Sequence, residues 1–372
     1  MAILAEGLFT RATAKTAIGA LRYAPYPIVA VVDSVRAGTT ADEHVGTGAG
    51  VPVVASLGEA RRLGATVLLI GTAAAGGRIP DAYRPVLAEA LSAGMSVWNG
   101  LHERVLDDPA LAEAARRGGG QVRELREPPK HLLVGGHRQR RDGARVVLTV
   151  GTDAAVGKMT ASLEIVAALR RAGRSAAFVA TGQTGIAIAG AGISVDAVVA
   201  DFIAGAAEQL TCAAAETADW VIVEGQGSLT HPGFSGVTLG LLHGSAPDLM
   251  VLCHDIRRHT VKGYEATGLP VRGLKENVHI YEEAASWRHP PGYPPARVVA
   301  VALNTAMSGD GAFAQASIES AAYETGLPAA DPVREGDAGA DRLAAALLAA
   351  DPRAGDPRTG DRRAGDPRGD PR

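Results

Sequence analysis

The chain has 372 residues, 47% of them hydrophobic, and a formal net charge of −3 at neutral pH. That length exceeds one ordinary core and predicts two domains, while the weakly acidic balance offers no general field for nucleic acid or an anionic membrane, so any phosphate affinity must come from a local site. Cys212 and Cys253 are the only cysteines, which excludes a disulfide framework or a cysteine-rich zinc site; with no apolar window approaching about 18 residues, a soluble, cytoplasmic protein is expected.

The N-terminal stretch MAILAEGLFTRATAKTAIGALRYA is amphipathic, carries charge too early for a signal peptide and is expected to form the first helix. Residues 27–35, PIVAVVDSV, read as an apolar strand ending in Asp33 and Ser34. VPVV at 51–54 leads to a helix with Ser56 as its cap, and ATVLLIG at 65–71 is a further buried strand running into TAAAGGRIP. A helix (DAYRPVLAEALSAG), a short strand (MSVWNG) and another helix (LHERVLDDPALAEAARRGG) follow. Strands that are apolar throughout and alternate with helices predict a doubly wound parallel sheet, a Rossmann-like domain over residues 1–128.

Ligands of such sheets sit beyond the carboxyl ends of the strands, which here carry Asp33, Ser34, Gly71, Gly76, Gly77, Arg78, Asn99 and His102. Gly76, Gly77 and Arg78 could wrap an anionic group, or simply make a turn. The GxGxxG spacing is absent after the first strand, which argues against a nicotinamide cofactor. Residues 129–144 read as a linker; their arginines 138, 140 and 141 form a short run without aromatics, suited to a solvated segment rather than a nucleic-acid contact.

RVVLTVGTDAAVGKMT, residues 145–160, is the strongest signal. A β-branched strand breaks at Gly151, the loop runs through Thr152, Asp153, Ala155, Val156 and Gly157, and Lys158, Met159 and Thr160 open a helix. Successive backbone N–H groups, a helix dipole and a lysine make a phosphate cradle, although a tight turn with a solvent-facing lysine has the same outline. The pattern departs from G-x-x-x-x-G-K-[ST]: the loop is one residue longer, and Met159 stands where a Mg²⁺-binding hydroxyl is usual, with Thr160 one place late.

The strand at Ala176–Ala180 ends in Thr181, Gly182, Gln183, Thr184 and Gly185; Asp201, at the start of the next helix, is a cap or dipole partner or else a site residue. Trp220–Val223 forms a buried strand ending in Glu224, where P-loop proteins place the carboxylate that holds Mg²⁺, followed by Gly225, Gln226, Gly227, Ser228 and His231. His231 reads either as a general base partnered by Ser228 or as a structural loop histidine. Leu249–Cys253 ends in His254, Asp255, Arg257 and Arg258, LKENVHIYEEAASWR is a helix, and RVVAVALNT is the last strand. The helix at Ala314–Tyr323, the extended turn GLPAADPVREG and the helix RLAAALLAA close a P-loop NTPase-like parallel sheet over 145–350. Residues 351–372 repeat a motif close to A-G-D-P-R, which has nothing to bury and predicts a disordered tail.

The loop GTDAAVGKMT and the turn VIVEG resemble those of dethiobiotin synthetase and its relatives. With VVDSVRAG, ATGQTGIAIAG, DFIAGAAE, VEGQGSLTHPGFSG, GSAPDLMVLCH and LPAADPVREG, the chain resembles, over nearly everything from about residue 20 to 337, the bacterial P-loop family of the D-glutamate N-acetyltransferase, which joins a Rossmann-like domain to a dethiobiotin-synthetase-like one. The resemblance implies acetyl-CoA as co-substrate, its phosphates on the loop from Gly151 to Thr160, and acetylation of the amine of a D-glutamate-like amino acid. The base would come from His231, Glu224 or Asp201, oxyanion donors from Ser228 or N–H groups near Gly225–Gly227, and substrate contacts from Gln183, Thr184, Gln226, Arg78 and Arg257 or Arg258. An alternative keeps the same loop for ATP or GTP with Mg²⁺ held by Thr160 and Glu224, as a kinase or carboxylate-amine ligase; a non-catalytic nucleotide sensor is a third. No other metal, nucleic-acid or membrane partner is expected, and a homo-oligomer is.

Overall fold

The computed structural model describes residues 1–72, 75–287, 295–306 and 309–351. It contains two parallel sheets, each of six strands with helices on both faces. The first is built from β1 (Ala2–Leu4), α1 (Lys15–Tyr23), β2 (Ala30–Val32), α2 (Ala41–Val45), β3 (Val53–Val54), α3 (Leu57–Arg62), β4 (Val67–Ile70), α4 (Arg84–Ser92), β5 (Ser96–Asn99), α5 (Pro109–Gly118) and β6 (Gln121–Glu124). Its order, β3-β2-β1-β4-β5-β6, is that of a dinucleotide-binding Rossmann sheet.

Two expectations are corrected here. The N-terminus opens with a strand, not a helix: Ala2, Ile3 and Leu4 are fully buried between β2 and β4, and the helix begins only at Lys15. A central strand of three residues buried on both faces carries no alternation, so its pattern merges with that of the amphipathic stretch behind it. QVRE, after the helix expected to close the first domain, is strand β6; it lies at the sheet edge with its residues only partly covered, hence its polar composition.

The second sheet comprises β7 (Arg145–Gly151), α6 (Lys158–Arg171), β8 (Ala176–Val179), α7 (Gln183–Ala189), α8 (Ile203–Ala215), β9 (Trp220–Val223), α9 (Ser235–Ser245), β10 (Leu249–Asp255), α10 (Leu274–Ser286), β11 (Arg297–Asn304), α11 (Gly311–Thr325), β12 (Ala329–Ala330) and α12 (Asp337–Ala349), in the order β12-β11-β10-β7-β9-β8. The extended turn GLPAADPVREG contributes the short edge strand β12. Valines and leucines of β7, β9 and β10 point alternately into the two apolar layers that flank this sheet. The predicted disorder of the tail lies outside the described residues beyond Asp351, which pairs with Arg145 at 2.8 Å.

Residues 129–144 have almost no regular structure, yet they are fastened rather than freely solvated. Arg138, Arg140 and Arg141 pair with Glu208, Asp248 and Asp219 at 3.1, 3.5 and 2.7 Å. The two sheets also meet directly. Ile3, Ala17 and Leu69 share a core with Ala180, Ile186 and Ala187, and Tyr23 donates to Glu164 at 2.7 Å. Helices α1 and α7 approach closely because Gly19 has no side chain: a Cβ there would lie 2.8 Å from Thr184 Cγ2 and 3.4 Å from Met159 Cε.

Candidate functional site

The site grows from the turn between β7 and α6. Its backbone reverses through left-handed conformations at Ala155 (φ 58°) and Gly157 (φ 109°), and the N–H groups of Ala155 through Thr160 donate to no acceptor among the described residues. Six amide hydrogens at the head of a helix, backed by its dipole, form an anion cradle. Lys158 is 6% exposed. Its ammonium donates to the carbonyls of Asp153 (2.9 Å) and Gly227 (2.7 Å), and burial pushes its pKa down to about 8. The lysine therefore faces inward, across the loop, and not to open solvent.

Tyr281, fully buried on α10, donates to Gly151 O at 2.8 Å and accepts from Leu229 N at 3.2 Å, bracing the loop against the segment after β9. Nothing local singled it out: it reaches the site from a helix whose apolar periodicity already explained an aromatic residue.

Glu224, at the tip of β9, is 4% exposed. One carboxylate oxygen, Oε2, accepts from the N–H groups of Thr181 (2.9 Å) and Gly182 (3.1 Å), while Oε1 has no hydrogen-bond partner among the described residues. Burial raises its pKa to about 7 against the pull of those two N–H groups and Lys158. A carboxylate with one oxygen fixed, the other open and a pKa near neutrality is suited to accepting a proton. Gly225 sits between the strand tips, where a Cβ would fall 1.7 Å from Thr149 O, and its N–H donates to Thr149 Oγ1. That donor is therefore occupied, whereas the N–H groups of Gln226 and Gly227 have no acceptor among the described residues. The Gln226 side chain donates to Thr181 Oγ1 at 3.3 Å, beside Glu224.

His231 is 3% exposed, with both ring nitrogens engaged. Nδ1 accepts from Gly233 N at 3.1 Å, so Nε2 carries the proton and donates to Lys262 O at 3.0 Å, and the ring stacks on Phe234. It fastens the loop after β10 and presents no free nitrogen. Asp153 does the same from the P-loop side, accepting from Lys262 N (2.8 Å) and lying 3.5 Å from Arg258 Nε. The buried Ser228 shares hydrogen bonds with Thr230, and Thr152 Oγ1 meets His254 Nδ1 at 2.9 Å.

Other candidates stand apart from this cluster. Thr184 bonds Thr16 of α1 at 2.9 Å, and Gln183 packs against Gly100, so both serve the contact between the sheets. Arg257 is paired with Asp255 at 2.9 Å, Arg78 lies on the surface of the first sheet 4.0 Å from Glu103, and Asp201 is exposed ahead of α8. Met159 packs toward α1, and Thr160 is half-buried on α6. The hydroxyl that usually follows a P-loop lysine is thus replaced by a side chain committed to packing.

A P-loop sheet docked to a Rossmann-like sheet, with a free amide row and a buried lysine at its mouth, defines a two-domain α/β protein of the P-loop class. Residues 34–128 match the family described as "Domain of unknown function (DUF1611_N) Rossmann-like domain", and residues 133–344 match "Domain of unknown function (DUF1611_C) P-loop domain"; the chain belongs to this family. It is 38% identical over 283 residues to a protein of Pseudoalteromonas sp named D-glutamate N-acetyltransferase, covering 76% of this chain and 82% of that one. A relative of the same name from Tritonibacter scottomollicae is 38% identical over 294 residues, 79% and 84% of the two chains. The crystal structure of a DUF1611 family protein from Anabaena variabilis aligns with a TM-score of 0.85 at 40% identity, over 94% of this chain and 98% of that one. Among the described residues no helix is long and apolar enough to cross a membrane.

Proposed function

We propose that the chain is an N-acetyltransferase that moves an acetyl group from acetyl-CoA to the amine of a D-glutamate-like amino acid, with the coenzyme's diphosphate on the P-loop. The observation that carries this reading is the row of unpartnered N–H groups from Ala155 to Thr160 over the buried Lys158, in a loop whose metal-binding hydroxyl has become Met159. Such a cradle suits a diphosphate that is held and not cleaved. The names of the two 38% identical relatives point the same way.

In this reading Glu224 Oε1 takes a proton from the acceptor's ammonium group. The freed amine forms a C–N bond to the acetyl carbonyl, the C–S bond breaks, and the nitrogen's second proton passes to the departing sulfur, so that amide and CoA thiol are the products. In the same reading the N–H groups of Gln226 and Gly227, without acceptors among the described residues, receive the transient oxyanion. The test is release of free CoA thiol with D-glutamate, related D-amino acids and their L forms. Thiol released with D-glutamate is expected; none with any of them overturns the proposal.

Glu224 also supports a second reading, because its open oxygen stands where a Mg²⁺–nucleotide site has its carboxylate. A kinase or carboxylate-amine ligase using ATP or GTP would make product with nucleotide and Mg²⁺ in the absence of acetyl-CoA, and that result would establish it.

A further inference from the structure

On the β10 side of the P-loop strand, opposite Glu224, lies a cleft of about 480 Å³ that the proposed chemistry leaves unused. Its floor is the end of β10 and β11, one wall is the loop running into α10, and the other is one face of α11 from Phe313 to Glu324. His254 lines it and is hydrogen-bonded to Thr152, so the cleft adjoins the start of the P-loop.

The lining carries two kinds of chemistry. Leu274, Leu303 and Phe313 are apolar, and Phe313 leaves 56% of its surface exposed. Arg258, His259 and Arg272 bring basic groups to it. Glu324, the carboxylate among the lining residues, has Oε1 engaged by Lys275 N at 3.1 Å; Arg272 also reaches Glu276, and Arg258 lies 3.5 Å from Asp153. Lys15, at the head of α1, adds positive charge from the first domain: partial burial, then Lys262 and Arg258, hold its amine below the usual lysine range. The cleft is larger than a free amino acid requires and falls within the range of pockets that hold ligands of nucleoside size.

An exposed aromatic ring and basic side chains lining one cleft, next to the P-loop strand, match a nucleoside that carries an extra phosphate. We propose that this cleft receives the adenosine 3′-phosphate end of CoA, with the base against Phe313 and the 3′-phosphate on Arg272 and Arg258. The proposal rests on the acetyl-CoA reading and extends it. With the diphosphate over β7, the nucleotide end turns toward β10 and the acyl arm toward Glu224 at β9, so the P-loop strand separates the two ends of one ligand.

The experiment measures binding of CoA, 3′-dephospho-CoA and ADP to the full chain by calorimetry. The unmodified protein is expected to bind CoA about tenfold more tightly than 3′-dephospho-CoA, a step of the size that one charge-assisted phosphate contact supplies. Arg272→Gln should bring the two affinities together by weakening CoA alone. Phe313→Ala should weaken both by a similar factor, about tenfold for loss of a stacking partner. Both side chains are exposed, and unchanged thermal midpoints would show that the variants fold. Equal affinities of the unmodified protein for CoA and 3′-dephospho-CoA, or variants that bind CoA as before, would overturn the subsite. If Lys158→Ala abolishes CoA binding while Arg272→Gln and Phe313→Ala change nothing, the subsite falls and the P-loop reading stands. No CoA binding at all by the unmodified protein removes both.

Discussion

The two sheets share an architecture, and their carboxyl ends differ in how the polar groups there are satisfied. At the tip of β2, the fully buried Asp33 accepts from the N–H groups of Gly7 (3.2 Å), Phe9 (3.3 Å) and Val35 (3.0 Å) and pairs with Arg36 at 2.9 Å. In a Rossmann sheet an acidic residue after the second strand is positioned to hold a ribose; here the loop that follows β1 occupies that carboxylate from within the chain. At the tip of β7 the reverse holds, since the amide row is left without acceptors and Lys158 is tied only to two carbonyls that a ligand can replace. Polar groups satisfied internally stabilise a fold, whereas groups left unsatisfied at a strand tip are stored binding capacity.

The sharpest way to break this comparison is Lys158→Ala. Loss of the buried cation should lower kcat/KM for acetyl-CoA by about 10³-fold, the scale of a removed oxyanion or phosphate donor, without lowering the thermal midpoint, because an ammonium group no longer has to be desolvated. A variant that turns over normally would make the P-loop a structural turn after all.

Next in size, Glu224→Gln should reduce kcat by about 10²–10⁴-fold while CoA affinity is kept, as expected for a general base. In the unmodified protein the proposed rate should rise as the carboxyl ionises near pH 7, and CoA binding should fade above about 8 as Lys158 loses its proton. Glu224 also carries a stability signature. Its folded pKa is raised above the unfolded value, so its contribution is fully present below the ordinary carboxylate range and is lost as pH rises through about 7. Glu224→Gln should flatten that decline in a series of melting curves; an unaltered slope would mean the group titrates elsewhere.

Asp33→Ala tests the other side of the comparison. Stranding three N–H groups and Arg36 should cost about 2–4 kcal/mol in denaturant unfolding while leaving kcat of the folded fraction unchanged. A fall in kcat at unchanged stability would instead place substrate on the first domain. The smallest effect is expected from Thr184→Val, about 1 kcal/mol for the lost bond to Thr16. A raised KM for the acceptor with no change in the unfolding midpoint would return Thr184 to the substrate contacts that the family resemblance implies.

The legibility of the molecule follows the range over which each signal acts. Parallel strands, their helices and the P-loop are written in contiguous residues, since burial on both faces needs apolar runs and a tight loop needs its glycines in order. Strand β1 escaped because three apolar residues have no period. Glu224 was readable from its place at the end of an apolar run, but its pKa near 7 arises from burial in the folded interior, against the opposing hydrogen bonds from Thr181 and Gly182. His231 had the composition of a base, and only the positions of Gly233 and Lys262 show both nitrogens engaged.

By itself the sequence determined two wound sheets, a linker between them and an anion cradle with an altered metal position, all of them consequences of neighbours along the chain. The tertiary structure alone decided which polar groups at the strand tips are left free. Hydrogen-bond satisfaction depends on partners as distant as Gly151 and Tyr281, and no local pattern records who meets whom across a folded interior.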